Sequence, residues 1–311
     1  LEKVGASYYK TQMISAALGI FVAIVISMID YKKLAKLWFL YAPIALFLVF
    51  LIFTSLGHQR ADDQAWLNLG FIQFQPSEVL KLAFILSFSY HLSKVEENMN
   101  KPLYMALLCL HGLLPIALIG LQGDYGTAIV FVFIFVCMIV SADISWKYLA
   151  AAPFILATVL FLAWNFVLGY DHKRRIEVLL HPGTDPEGLE YQQNLGLAAL
   201  NNGKVLGIGL FNKEDKYISV PEIHNDFILA YAGQVFGFVG AIGLIAILAY
   251  LCLKILADSR ATKDNLGKFI CMGTFGLMLA HCIMNIGMVL KVMPVIGVPL
   301  PFLSAGGTAM L

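Results

Sequence analysis

The residues best placed to do chemistry lie in the stretch 220–227, Val-Pro-Glu-Ile-His-Asn-Asp-Phe. It closes a long polar segment and opens the next apolar run. Asp226 is therefore expected where water meets membrane, at the start of a helix. A carboxylate there can cap the helix, join a structural ion pair or act as a general base. Asp is favoured at the N-cap, where it contributes about 1 kcal/mol, so capping and base catalysis both stay open. Glu222 and His224 beside it read either as positioning groups or as ordinary loop polarity. A second candidate is the cluster Lys173-Arg174-Arg175. Arg pairs bidentately with phosphate oxygens, and a basic run beside a membrane is equally drawn to anionic headgroups. Arg60 and Lys291 add cations in other polar segments. Gln192 and Gln193 carry amides that suit sugar hydroxyls or plain solvent. Glu78 and Lys81 stand three apart, hence on one helix face, inside an apolar run where charge is costly and usually paired or pathway-lining. Asp124, three residues before Thr127, has the spacing of an N-cap.

The elements that must hold these groups are helices in a membrane. The chain is 59% hydrophobic and 13% charged over 311 residues. A soluble domain would carry about twice that charge. Apolar runs of about 20 residues are long enough to cross a hydrocarbon core of roughly 30 Å as helix. These features predict an all-α polytopic membrane protein, built as a single domain over residues 1–311. Net charge is +1, which gives no bulk attraction to nucleic acid. The five cysteines all lie in apolar runs and lack metal-ligand spacing. Residues 1–12 read as a polar lead-in. Spans follow at about 13–29, 37–55, 76–91, 103–121, 125–140, 148–168, 226–256 and 268–290, with a short ninth from 302. Pro76 suits the first turn of its helix. Residues 56–75 and 170–222 read as loops, the second long enough to be functional or disordered.

Lys and Arg in alternate short loops fix the orientation. Lys32, Lys33, Lys36, Lys94, Lys101, Lys147, Lys254, Arg260, Lys263 and Lys268 fall on one side, predicted to be cytoplasmic. Lys3, Lys10, Arg60 and Lys291 fall on the other. The segment 170–222 then lies outside, together with Asp124, Asp226 and the Pro- and Gly-rich turn 291–301.

Four stretches taken together resemble the SEDS family of shape, elongation, division and sporulation proteins, which includes RodA, FtsW and SpoVE. They are Phe74-Gln-Pro-Ser-Glu-Val-Leu-Lys81, Gly123-Asp-Tyr-Gly-Thr-Ala128, Pro221-Glu-Ile-His-Asn-Asp-Phe227, and Asn285-Ile-Gly-Met288 with Pro294-Val-Ile-Gly-Val-Pro-Leu-Pro-Phe-Leu-Ser-Ala-Gly-Gly307. The Gly-Val-Pro-Leu-Pro-Phe wording is closest to the RodA elongation branch. The resemblance implies a ten-helix fold, of which about nine helices are expected here, the chain looking truncated at both ends. It implies a peptidoglycan glycosyltransferase that polymerises lipid II on the outer face of the bacterial cytoplasmic (inner) membrane. The implied partners are a class B penicillin-binding protein and membrane proteins of the elongation complex. Asp226 matches the family's catalytic aspartate and is assigned as general base. Lys173, Arg174, Arg175, Arg60, Glu78, Lys81, Gln192, His224 and Lys291 are the candidate substrate-binding residues. Lys291 stands where the family usually has a small residue, so its candidacy rests on charge alone. A divalent cation, Mg²⁺ or Mn²⁺, is a further expectation, with Asp226 the available ligand.

The chain departs from the family pattern at several points. Ala65 precedes Trp66 where Arg is usual. Gln234-Val235 stands about two helical turns after Asp226, where a Glu pair is frequent. Ala305 and Thr308 replace Tyr and Ser in the last motif. Two other functions remain open: a flippase or transporter for the lipid carrier, drawing on Glu78 and Lys81, and a non-catalytic scaffold for a synthase.

Overall fold

Apolar side chains leave the backbone of a membrane span no partner but itself, so each span becomes a helix. The computed structural model describes residues 2–60, 63–68, 73–210 and 216–305. Among them four helical stretches are long and apolar enough to cross a membrane: Pro102–Leu121, Trp146–Val167, Ile228–Ala261 and Asn265–Val289. Shorter apolar helices run over Gln12–Ser27, Trp38–Phe53 and Tyr125–Ser141. The protein is an all-α, multi-pass membrane protein. Its contacts cluster into two units. One is Leu1–Asp143 with Leu251–His281 and Pro301–Leu311; the other is Ile144–Tyr250 with Cys282–Leu300.

The first unit begins with α1 (Glu2–Ser27), α2 (Tyr31–Lys36) and α3 (Trp38–Phe50). The expected polar lead-in at 1–12 is thus helical from Glu2. Residues 56–75, expected as loop, hold a small antiparallel sheet of β1 (Gly57–Arg60), β2 (Asp63–Asn68) and β3 (Gln73–Phe74) in the order β1-β2-β3. Alternation along β2 buries Ala65 and Leu67 at 2% and 1% exposure. Ala65 therefore points inward, at the position where the family's Arg stands. Next come α4 (Pro76–Val95), α5 (Pro102–Leu121) and α6 (Tyr125–Ser141). Pro76 takes the first turn of α4 as expected. Asp124 caps α6, its carboxylate accepting the Thr127 amide at 2.9 Å. α4 is the core helix of this unit, with Leu80, Phe84, Phe88 and Leu92 nearly inaccessible. Phe84 stacks on Phe88 and meets Phe131 of α6.

The second unit opens with α7 (Trp146–Leu162), which continues as a π-helical turn over Ala163–Val167 and buries no side chain. The long segment after it is largely helical: α8 (Tyr170–Leu180) and α9 (Tyr191–Asn202) occupy it. A loop was expected because α8 is polar and short, whereas its amphipathic pattern lets one face pack. Then α10 (Ile228–Ala261) begins two residues after Asp226, and α11 (Asn265–Val289) follows, shared with the first unit. The span expected from 302 lies, beyond Ala305, outside the described residues.

α10 is interrupted at Gly237, with φ 69° and ψ −170°, a region open essentially to Gly alone. The 203–209 loop supplies partners for the freed backbone groups. Ile208 and Gly209 amides donate to the Gln234 and Val235 carbonyls, and Phe238 and Val239 amides donate to Lys204 and Val205. The approach is close: a Cβ on Gly203 would lie 1.9 Å from the Gly233 carbonyl oxygen, and one on Gly207 2.1 Å from that of Val235. Gly203 and Gly207 of this loop thus serve close backbone packing. Gln234, fully buried, accepts the Ile218 amide at 3.1 Å and donates back to the Ile218 carbonyl at 3.5 Å. An ionised Glu could only accept, so the amide at this departure from the family pattern matches its surroundings. Gly237→Ala should destabilise the protein by about 2 kcal/mol or more, read as a lowered melting temperature in detergent. An unchanged melting temperature would mean the break is not required.

Candidate functional site

The site assembles in the second unit around residues 290–300, a stretch with no regular secondary structure. Three side chains from three elements hold its carbonyls. Gln193 of α9, 4% exposed, donates to Met288 O at 2.9 Å and Met293 O at 2.8 Å. Arg175 of α8 donates to Val295 O at 3.2 Å. Asn285 of α11, fully buried, donates to Val298 O at 2.9 Å. A buried carbonyl without a donor is costly, and the Pro-rich sequence cannot supply a helical ladder of its own. Gly297 has φ 68°, the left-handed region, which lets the turn reverse there.

Asp226 faces this turn. Residues 221–227 form a tight turn, with the Asn225 and Phe227 amides donating to Glu222 O. The first carbonyl of the following helix is that of Phe227, which accepts the Ala230 and Tyr231 amides. Asp226 therefore stands one residue ahead of the N-cap position. Its carboxylate lies over Gly297, whose Cβ, if present, would be 3.6 Å from Asp226 Oδ2. Asp226 is half-buried and Gly297 exposed, so the carboxylate lies at an accessible surface. Its own carbonyl accepts the second Asn285 hydrogen at 2.8 Å.

Beside the same turn is a pocket of about 130 Å³ lined by Arg175, Val178, Gly188, Leu189, Gln192, Gln193 and Val295. Val295 and Gly297 are two residues apart, at most about 7 Å along the chain. One short turn therefore touches both the Arg175 pocket, at Val295, and the Asp226 carboxylate, at Gly297.

The other candidates divide as follows. Gln192 lines the pocket with Arg175. The Lys173-Arg174-Arg175 cluster does not act as one patch. Lys173 lies 5.9 Å from the Trp164 ring centre, while Arg174 bonds Tyr170 Oη at 3.0 Å and pairs with Asp185 at 3.5 Å. His224 is exposed and meets Tyr231 edge-on. Lys291 ties the turn to α9, donating to Glu190 Oε2 at 3.0 Å and Asn194 Oδ1 at 2.7 Å. Glu78 and Lys81 belong to the first unit. They bond each other at 2.8 Å, and Lys81 Nζ lies 3.3 Å from His281 Nε2. Asp124, also in that unit, accepts Gln75 Nε2 at 3.2 Å. The Arg60 side chain lies outside the described residues. Asn285, Glu190 and Asn194 did not stand out in the sequence as site residues. An Asn inside the apolar run before the last turn was the available signal for Asn285; nothing marked the other two.

No three His, Cys, Asp or Glu side chains converge as a metal site among the described residues. A divalent cation would find in Asp226 a single carboxylate, a pattern Mg²⁺ adopts when substrate phosphates complete its shell.

Glu190 is the least exposed carboxylate of this region, at 3%. The hydrogen bond from Lys291 holds its carboxyl below the usual carboxylate range, aided by the Gly183 and Asp185 amides. The pair thus stabilises the fold above the unfolded-state pKa of about 4.3, and that stability is lost as pH falls through the lower folded value. Lys291→Met should lower the melting temperature at neutral pH and flatten the acid limb of the stability profile, the two proteins converging as pH falls. An acid limb of unchanged steepness would show that the pair does not anchor the turn.

A family model described as "Cell cycle protein", covering the FtsW, RodA and SpoVE proteins, matches residues 2–311. "Peptidoglycan glycosyltransferase MrdB" of Escherichia coli K12 is 28% identical over 297 residues, covering 95% of this chain and 80% of that protein. "Probable peptidoglycan glycosyltransferase FtsW" of Geobacter sulfurreducens is 31% identical over 315 residues, covering 99% and 82%. A solved structure described as "Structural coordination of polymerization and crosslinking by a peptidoglycan synthase complex" superposes with TM-score 0.81 at 25% identity, over 97% of this chain and 85% of that one. The rod shape determining protein RodA of Thermus thermophilus gives 0.67 at 25% identity, over 96% and 81%. The chain belongs to the FtsW, RodA and SpoVE family of cell cycle proteins.

Proposed function

We propose that this protein is a peptidoglycan glycosyltransferase that polymerises lipid II at the outer face of the bacterial cytoplasmic membrane, with Asp226 as general base. The observation that carries the reading is the shared turn: a partly accessible carboxylate over Gly297 and an arginine-lined pocket at Val295, two residues away. Chain elongation needs both groups. The acceptor sugar hydroxyl attacks the donor anomeric carbon, the new glycosidic C–O bond forms, and the bond to the polyprenyl pyrophosphate breaks. Asp226 takes the hydroxyl proton. The leaving pyrophosphate carries the negative charge away, and the Arg175 guanidinium offsets that charge as it develops. Gln192, on the pocket wall, offers amide bonds to sugar hydroxyls. A bound Mg²⁺ or Mn²⁺, held by Asp226 and the pyrophosphate oxygens, would supply further charge neutralisation on the leaving group.

Two kinds of relative support the assignment: proteins named as peptidoglycan glycosyltransferases, and a peptidoglycan synthase complex of similar fold. The proposed partner is a class B penicillin-binding protein within an elongation assembly; the likeness to a peptidoglycan synthase complex that coordinates polymerization and crosslinking supports a synthase partner. The transporter reading would draw on Glu78 and Lys81, but these are bonded to each other, the arrangement of a neutralised pair.

Purified protein with its penicillin-binding partner should convert lipid II to glycan chains. Asp226→Ala should reduce the rate by about 10²- to 10⁴-fold with thermal stability and partner binding retained. Full polymerisation by that variant would falsify the base assignment, and Glu78-dependent lipid translocation surviving in it would favour the transporter. Chelation should depress polymerisation and added Mg²⁺ or Mn²⁺ restore it; indifference to chelator would remove the cation from the scheme.

A further inference from the structure

Asn285 sits fully buried in α11, and its side-chain NH₂ group makes two hydrogen bonds, to Asp226 O at 2.8 Å and to Val298 O at 2.9 Å. The amide orientation follows from chemistry: turned over, its oxygen would face two carbonyl oxygens. Oδ1 then has no hydrogen-bond partner among the described residues, a costly state for a buried carbonyl. The two acceptors are not equivalent pieces of scaffold. One is the backbone of the proposed base. The other belongs to the residue after Gly297, the glycine against which the Asp226 carboxylate rests. Neither 221–227 nor 290–300 is helix or strand, so the separation of base and floor has no regular ladder to set it.

We infer that Asn285 is a positioning residue for glycosyl transfer: its amide clamps the backbone behind Asp226 to the backbone beside Gly297 and so fixes where the carboxylate meets the acceptor hydroxyl. The inference rests on Asp226 being the base. A general base must hold its proton acceptor within hydrogen-bond reach of the hydroxyl it deprotonates, and displacement by about 1 Å can cost about 10²-fold in rate. Asn285 touches no substrate in this scheme. Its loss therefore acts on turnover, while Arg175 and Gln192 retain the binding surface.

The test compares Asn285→Ala, Asn285→Asp and Asp226→Ala in the full chain with lipid II and its synthase partner. For Asn285→Ala, kcat should fall about 10²-fold per folded protein, with KM for lipid II little changed. Asn285→Asp separates positioning from simple destabilisation within one folded protein. Its buried carboxyl, facing two carbonyls, will have a raised pKa and can donate one hydrogen bond only when protonated. Its activity should therefore fall as pH rises through that value, a descending limb absent from the natural protein. Wild-type kcat in folded Asn285→Ala, a loss confined to KM or to the folded fraction, or an Asn285→Asp profile of unaltered shape would each overturn the inference. An active Asp226→Ala would remove the base reading beneath it. An inactive Asp226→Ala beside a fully active Asn285→Ala would remove the positioning role alone.

Discussion

The site depends on carbonyl groups that no helix or strand satisfies. The stretch 290–300 carries Pro294, Gly297 and Pro299 and cannot continue α11 as helix. Its carbonyls must find donors wherever packing keeps water from them. Gln193, Arg175 and Asn285 meet it from three separate elements. Because each donor is a side chain anchored on a helix, the turn inherits the rigidity of those helices while keeping a shape that regular structure would forbid. That shape brings a carboxylate and a guanidinium to one short piece of chain.

The same rule operates a second time at Gly237. A broken helix must recover the hydrogen bonds it gives up. Here the 203–209 loop returns them, backbone to backbone, through glycines small enough to allow contact. Gln234 adds a side-chain pairing to both polar groups of Ile218. The region after Asp226 is therefore held by the long polar segment folding back, and that segment also supplies Arg175, Gln192 and Gln193. One stretch of chain both closes the broken helix and furnishes the pocket, which couples the order of the site to the order of the segment.

Charge is treated differently at two of the sites, among the described residues, where it is removed from water. Glu78 and Lys81 answer each other within one turn of α4, with His281 against the ammonium. Glu190 and Lys291 come from distant parts of the sequence and join the long segment to the turn. The first pair can form as soon as its helix forms. The second exists only when the tertiary structure does.

The sequence alone determined what composition and local spacing control. Apolar run length gave the spans, because a backbone in lipid has no alternative to helix. Pro76 and Asp124 took the helix-start positions their side chains dictate. Asp226 was visible from its place between polar segment and apolar run. Residues 170–222 read as loop because α8 and α9 are too short and polar to announce themselves by hydropathy, and the 56–75 sheet was hidden by weak alternation. Only the tertiary structure decided that Arg175, and not its neighbours Lys173 and Arg174, reaches the turn. It likewise decided that Lys291 ties down Glu190, that Gln193 supports backbone, and that Asn285 stands behind Asp226. Those outcomes depend on which carbonyls long-range packing leaves without a donor, and a property set by groups a hundred residues apart has no local signature to read.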